Sequence, residues 1–177
     1  MGLIGFDYLS AAPRYLRFMA TKSSTEAIFA GLIALQFIII AAHDWIDLPG
    51  WIHGSQVQTV VGRRKLAWGT LINVAFPGTA LGYAIWFFHR PKPAFVLNYW
   101  VGYTAITVAA AFFMWWIPYL FGSSPKRTEE YQKMYAGTRH VLPARKGDPG
   151  PNVVHLAFHG LFLATLVLAL ALRLKAA

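Results

Sequence analysis

The sequence predicts an all-α, polytopic membrane protein: four transmembrane helices in a bundle, preceded by an amphipathic N-terminal segment. Three observations predict it. Apolar residues make up 56% of the 177 positions and charged residues only 13%, about half the charged share of a soluble domain. Four stretches, about 25–43, 66–88, 98–121 and 152–172, each supply the roughly 20 predominantly apolar residues needed to cross about 30 Å of hydrocarbon. The tryptophans Trp45, Trp51, Trp68, Trp86, Trp100, Trp115 and Trp116 all fall near the ends of those stretches, where an amphipathic ring prefers the headgroup level.

Taken in order, residues 1–24 read as an interfacial segment. Leu3, Phe6, Tyr8, Leu16 and Phe18 supply apolar area while Arg14, Arg17 and Lys22 supply headgroup contacts. Pro13 is expected to break the segment into two pieces, and its length and irregularity do not suit the short basic region of a cleaved signal peptide. The first span carries one charge, Glu26, in its first turn. The second follows Arg63, Arg64 and Lys65 and contains Pro77, then Gly78 and Gly82 four residues apart. That small-residue spacing favours close helix packing or dimerisation, and neighbouring helices can satisfy the carbonyl that proline frees.

A long polar loop, 122–151, joins the third span to the fourth. Within it Ser124 is a candidate N-cap, Pro125 suits the first helical position, Glu129 and Glu130 lie near the helix start, and Gly137 can end the helix. Tyr131, Met134 and Tyr135 share one face, as in a short amphipathic helix that lies on the membrane or the bundle end, or docks a partner. The run TRHVLPARKGDPGP is rich in breakers and reads as extended chain. Asn152, after Pro151, is the expected N-cap of the last span. With no internal repeat and no dividing linker, the chain reads as a single membrane domain.

The formal charge of +9 is distributed between apolar runs and forms no recognition helix, so lipid headgroups and not nucleic acid are its expected partner. The absence of cysteine excludes disulfides, thiolate catalysis, Fe–S clusters and cysteine-based zinc sites. No G-x-S-x-G and no phosphate-binding glycine loop is present, and the sequence leaves open whether the chain is an enzyme.

With four spans, the first and third connections share one side, here called the loop side. It receives five of the six histidines, His43, His53, His140, His155 and His159, with Asp44 among its acids, whereas both termini and His89 fall opposite. Nine Lys and Arg on the loop side against seven on the other put the loop side in the cytoplasm by the positive-inside rule. The expected compartment is a bacterial inner (cytoplasmic) membrane. Gln36, Asn73 and His159 each lie seven residues from the loop-side end of their span, roughly 10 Å deep. His155 stands one turn above His159 on the same helix face, and His43 and Asp44 stand near the mouth. A polar cavity opening on the loop side gathers all of them.

The candidate ligand-binding residues are therefore Gln36 and Asn73, with Arg63 and Arg64 as holders of an anionic headgroup or substrate, although snorkelling explains those arginines equally. The candidate metal ligands are His43, Asp44, His155 and His159, since neutral imidazole and carboxylate suit zinc, iron, copper or manganese. The motif H-L-A-F-H lacks the glutamate of the zinc-peptidase helix, which removes hydrolysis by that route. His43 facing His155 or His159 can also offer axial ligands to a single haem; two haems across the bilayer would need more than His89 on the far side. The plainer account is that the histidines bond Gln36, Asn73 or backbone carbonyls and fix packing. The expected function is a binding or accessory subunit of a membrane system, working with a partner membrane protein or a second copy of itself. The alternative is a metal- or haem-binding, cytochrome b-like membrane oxidoreductase.

Overall fold

A computed structural model of the chain describes residues 8–135, 137–148 and 150–176, with side chains from Ser24 onward. Helices occupy 74% of the chain, as the all-α expectation requires; the strands are two residues each. The elements are α1 (Tyr8–Ala42), the hairpin β1 (Asp47–Leu48) and β2 (Ile52–His53), α2 (Gly54–Val61), α3 (Arg63–Trp86), α4 (Ala94–Ala111), a π-helical turn (Phe112–Trp116), α5 (Ile117–Phe121), α6 (Pro125–Tyr135) and α7 (Val153–Leu174).

Among the described residues three helical stretches are long and apolar enough to cross a membrane: Ser24–Ala42 in α1, Ala94–Phe121 through α4, the π turn and α5, and Val153–Leu174 in α7. They match three of the expected spans to within a few residues. The fourth expectation, 66–88, falls in α3, which has the length at 24 residues but not the apolarity. Gly69, Thr70, Asn73, Pro77, Gly78 and Thr79 dilute it. The expected break at Pro13 does not occur: α1 runs unbroken from Tyr8 to Ala42, the proline forfeiting one ladder bond without ending the helix. The amphipathic reading of residues 1–24 concerns side chains outside those described.

The long helices run antiparallel. The Glu26 carboxylate at the start of the α1 span takes the His89 backbone N–H (3.1 Å) and the Lys92 ammonium (2.7 Å) just past the end of α3. At the other pole the Trp45 indole donates to Thr70 Oγ1 (3.1 Å). Likewise Arg173 near the end of α7 donates to Asn98 near the start of α4 (2.9 Å). The core lies in the half nearer Glu26, where Phe29, Ile33, Ala84, Val96, Trp100 and Ala169 pack together. Trp100 belongs to this core and not to the headgroup layer: it is 1% exposed, with its ring 4.7 Å from Phe29 and its indole N–H on the Ala80 carbonyl. Gly78 is packed against Phe37, whereas Gly82 faces open space, so only the first of the pair serves packing inside the chain.

The loop-side end is built by short elements between the long helices. The hairpin folds α2 back over the bundle, held by Ser55, whose N–H and hydroxyl both donate to Asp47 Oδ1 (3.0 and 3.1 Å). Gly54 is obligatory there because a Cβ would meet the Ile46 carbonyl oxygen at 2.7 Å. Segment 137–152 closes on the hairpin through Arg139, whose N–H bonds the Gly50 carbonyl (2.9 Å) and whose guanidinium covers Trp51.

Candidate functional site

The four long helices part in the loop-side half and leave a cavity of about 510 Å³. Its walls are Ile40 of α1, Phe76 of α3, Ile106 and Ala110 of α4, and Phe158 and Phe162 of α7. Polar groups gather at its loop-side end: His43, Asp44, His155 and His159, with Asn73 further down. Of the eight expected site residues the structure brings these five to one cavity. On the loop side it is bounded by elements that the expected open mouth did not include. Val57 and Val61 of α2 and Tyr131, Met134 and Tyr135 of α6 all line it. The amphipathic face of α6 is thus turned onto the bundle end.

His155 is the most constrained member. Asn152 caps α7, its Oδ1 accepting the His155 backbone N–H (3.0 Å), and the same oxygen accepts from His155 Nδ1 (2.8 Å). Because a carbonyl oxygen accepts, Nδ1 carries the proton and Nε2 is the nitrogen with a free lone pair. The ring lies on the Trp115 indole (centroids 4.0 Å) and meets the edges of Tyr135 (5.2 Å) and His43 (5.9 Å). Trp115 is only 8% exposed, so it too leaves the headgroup layer expected of it. Pro118, four residues on, has no N–H to offer the Met114 carbonyl, which instead accepts from Arg127 of α6. Arg127 in turn bonds the Tyr131 hydroxyl (3.1 Å) and stacks on its ring. One irregular turn therefore both seats Trp115 on His155 and fastens α6 over the cavity, in keeping with the association of π bulges with functional sites. Burial raises the Tyr131 and Tyr135 phenols above their ordinary range, so both remain neutral at the cavity end.

His43 ends α1 and donates through Nδ1 to the Ile39 carbonyl (2.9 Å). Its Nε2 lies 3.2 Å from Asp44 Oδ1. Two acceptor-type atoms at that distance need one proton between them, either on the imidazole or on the carboxyl. Burial pushes the Asp44 carboxyl up, and the neighbouring His43 opposes this. A second void of about 10 Å³, the room of one water, adjoins His43, His53 and His155; His53 Nε2 is buried with no partner among the described residues.

Three expected residues are elsewhere. Gln36 is fully buried but does not reach the cavity: it accepts from Tyr103 (2.7 Å) and donates to Thr165 (2.6 Å), joining α1, α4 and α7. Depth along a helix matched it to Asn73 and His159, but azimuth separates them. Arg63 and Arg64 are exposed at the start of α3 and line no part of the cavity. Nor do the two histidines of α7 act as a pair. His155 is tied to Asn152, while His159 stands beside Trp116 (6.0 Å) with a buried, unpartnered Nδ1. Among the described residues no three histidine or carboxylate side chains converge as metal ligands. Sequence reasoning missed Trp115 and the α2 cover; the adjacent bulky residues FFMWW were the available signal, but a π turn has no residue signature.

No protein-family model, no curated protein and no solved structure matches this chain.

Proposed function

We propose that the chain is a four-span membrane protein that binds a neutral, amphipathic small molecule in this cavity, with its polar head against His43, Asp44 and His155. The observation that carries the reading is the cavity itself: about 510 Å³, largely apolar, with a few convergent polar groups, the make-up of small-molecule sites generally. A neutral head is favoured because none of the lysines or arginines among the described residues lines it. A phosphate or carboxylate there would be desolvated beside Asp44 without a countercharge. A hydroxyl has an acceptor in His155 Nε2, and a carbonyl has donors in the Asn73 amide and the proton shared by His43 and Asp44.

Support for α3 as the fourth span comes from its ends and its faces. Its 24 residues rise about 36 Å, and it is joined to α1 near both poles, by the Trp45–Thr70 bond two turns into α3 and by His89 just past its end. Its outward side chains, Trp68, Leu71, Ile72, Ile85 and Trp86, are exposed and apolar. A lipid surround stabilises such a face.

The test is native mass spectrometry of protein purified from membranes, with solvent extraction of whatever it carries and elemental analysis of the same sample. The expected result is a near-stoichiometric neutral organic molecule that is lost from the Asp44→Asn/His155→Ala variant. Equal retention by that variant, or nothing retained by the wild type, overturns the reading. Stoichiometric iron or zinc lost with His155 would replace it with the metal- or haem-binding alternative.

A further inference from the structure

The cavity is covered toward water but not toward lipid. On the loop side the apolar faces of α2 and α6 lie across it, and α6 is fastened by Arg127 to the π turn. On the flank between α3 and α4 no such cover exists among the described residues. The hydrogen bonds and ring contacts that join these two helices all lie at Phe76 or beyond it: Tyr99 to the Phe76 carbonyl (3.0 Å), Trp100 to the Ala80 carbonyl (3.2 Å), and Tyr83 against Phe95 and Tyr99. Between Phe76 and the loop side, α3 and α4 face each other across the cavity without a bond or ring contact among the described residues.

The rim of that gap can be named. Phe76, Ile106 and Met114 line the cavity and yet are 50%, 71% and 54% exposed, which only residues standing at an opening can be. Ile106 lies about 18 Å along α4 from Ala94, at mid-depth of a hydrocarbon layer of about 30 Å. Asn73, almost one turn from Phe76, is exposed at the same gap, and its amide makes no hydrogen bond among the described residues. An uncommitted amide at membrane depth is costly unless it faces a cavity or a polar ligand.

From this geometry we infer that the ligand is a long-chain, lipid-phase molecule. It enters sideways from the bilayer between α3 and α4, passes its polar head by Asn73 to His155, and leaves its chain in the gap, while α2 and α6 keep water out. The inference rests on the binding reading above and adds the ligand's class and its route. The π turn contributes by holding α6 shut through Arg127 while leaving α4 free of α3 at that level.

The experiment uses the full chain in phosphatidylcholine nanodiscs and two photoactivatable probes. One is a hexadecanol with a mid-chain diazirine, delivered in the bilayer; the other is a short, tail-less diazirine alcohol added from water. Crosslinked residues are mapped by peptide mass spectrometry. The expected result is that the long-chain alcohol labels Phe76, Ile106 or Met114 together with cavity residues such as Phe158. The tail-less alcohol should label the cavity at least tenfold less, and Ala110→Trp, which fills the gap, should reduce long-chain labelling of Phe158 at least tenfold. Arg127→Ala, which releases α6, should narrow the difference between the probes. Equal cavity labelling by the tail-less alcohol in the wild type overturns the lateral route without touching the binding reading, and so does full long-chain labelling of Phe158 in folded Ala110→Trp. Labelling confined to the outer faces of the helices, with none in the cavity, overturns both. The wild-type comparison of the two probes stands even where Ala110→Trp fails to fold.

Discussion

The imidazole of His155 lies on the indole of Trp115 with ring centroids 4.0 Å apart, and the two residues come from helices that the sequence separates by the whole of the long polar loop. Trp115 lies within the π turn Phe112–Trp116, and Asn152 fixes the other edge of the imidazole. His155 is thereby held in one orientation with Nε2 free, the arrangement by which a tethered histidine is prepared for a ligand.

Asn152 should then matter twice. Asn152→Ala removes the N-cap of α7, at a cost of about 1 kcal/mol, and also removes the acceptor that orients His155. Thermal unfolding in detergent should show a modest loss, and ligand retention should fall roughly tenfold, the weight of about 1.4 kcal/mol. Asn152→Asp, which keeps an acceptor oxygen at both bonds, should recover most of each. Retention unchanged in Asn152→Ala would mean that orientation of His155 is unimportant.

Gln36 makes the opposite case. Its amide is fully engaged by Tyr103 and Thr165, so Gln36→Leu should cost about 1–2 kcal/mol of stability through the polar partners it strands. Ligand retention should stay at the wild-type level. Selective loss of the ligand with stability intact would put Gln36 back in the site.

At the opposite pole the Glu26–Lys92 pair is 4% and 9% exposed. Removing one partner of a buried pair leaves an uncompensated charge, and Glu26→Ala should cost about 3 kcal/mol. The double variant Glu26→Ala/Lys92→Met should regain a large part of that, which unfolding midpoints of the three proteins can decide. A double variant no better than Glu26→Ala would show that the loss comes from the His89 N–H and not from Lys92.

Asp44 predicts a pH dependence of definite sign. Burial raises its carboxyl above the ordinary 3.8, so just above that pH the folded chain holds a proton that the unfolded chain has released. Where the folded state binds more protons, stability falls as pH rises. The contribution of Asp44 is therefore greatest in acid and is lost as pH climbs through its raised value. Asp44→Asn cannot ionise, and its melting temperature should vary less than that of the wild type between about pH 4 and pH 7. Parallel profiles for the two proteins would rule this out.

Much of the molecule was legible along the chain. Apolar runs of bilayer length located three of the long helices, and the Ser124, Pro125 and Gly137 signals located α6. The Pro151–Asn152 pair marked the start of α7. Gly, Thr, Asn and Pro in the stretch after Arg63 were visible too, but their effect on apolarity was outweighed in the reading by the length of the run. The candidate site was half legible. His43, Asp44, Asn73, His155 and His159 all fall in the loop-side half of their helices, with Asn73 and His159 at one depth, which counting residues from helix ends can supply. Gln36 shares that level but points elsewhere, since its azimuth depends on how α1 packs against α4 and α7.

The sequence by itself located three helices long and apolar enough to cross a membrane and the position of each polar group along its helix, because hydrocarbon thickness and helical rise turn residue counts into distances. Only the tertiary structure decided which of those groups meet, and which helices line the cavity around them. Those outcomes depend on helix rotation, on one π turn and on where α3 and α4 lose contact. They are properties of packing between distant residues, which no local pattern of residue types encodes.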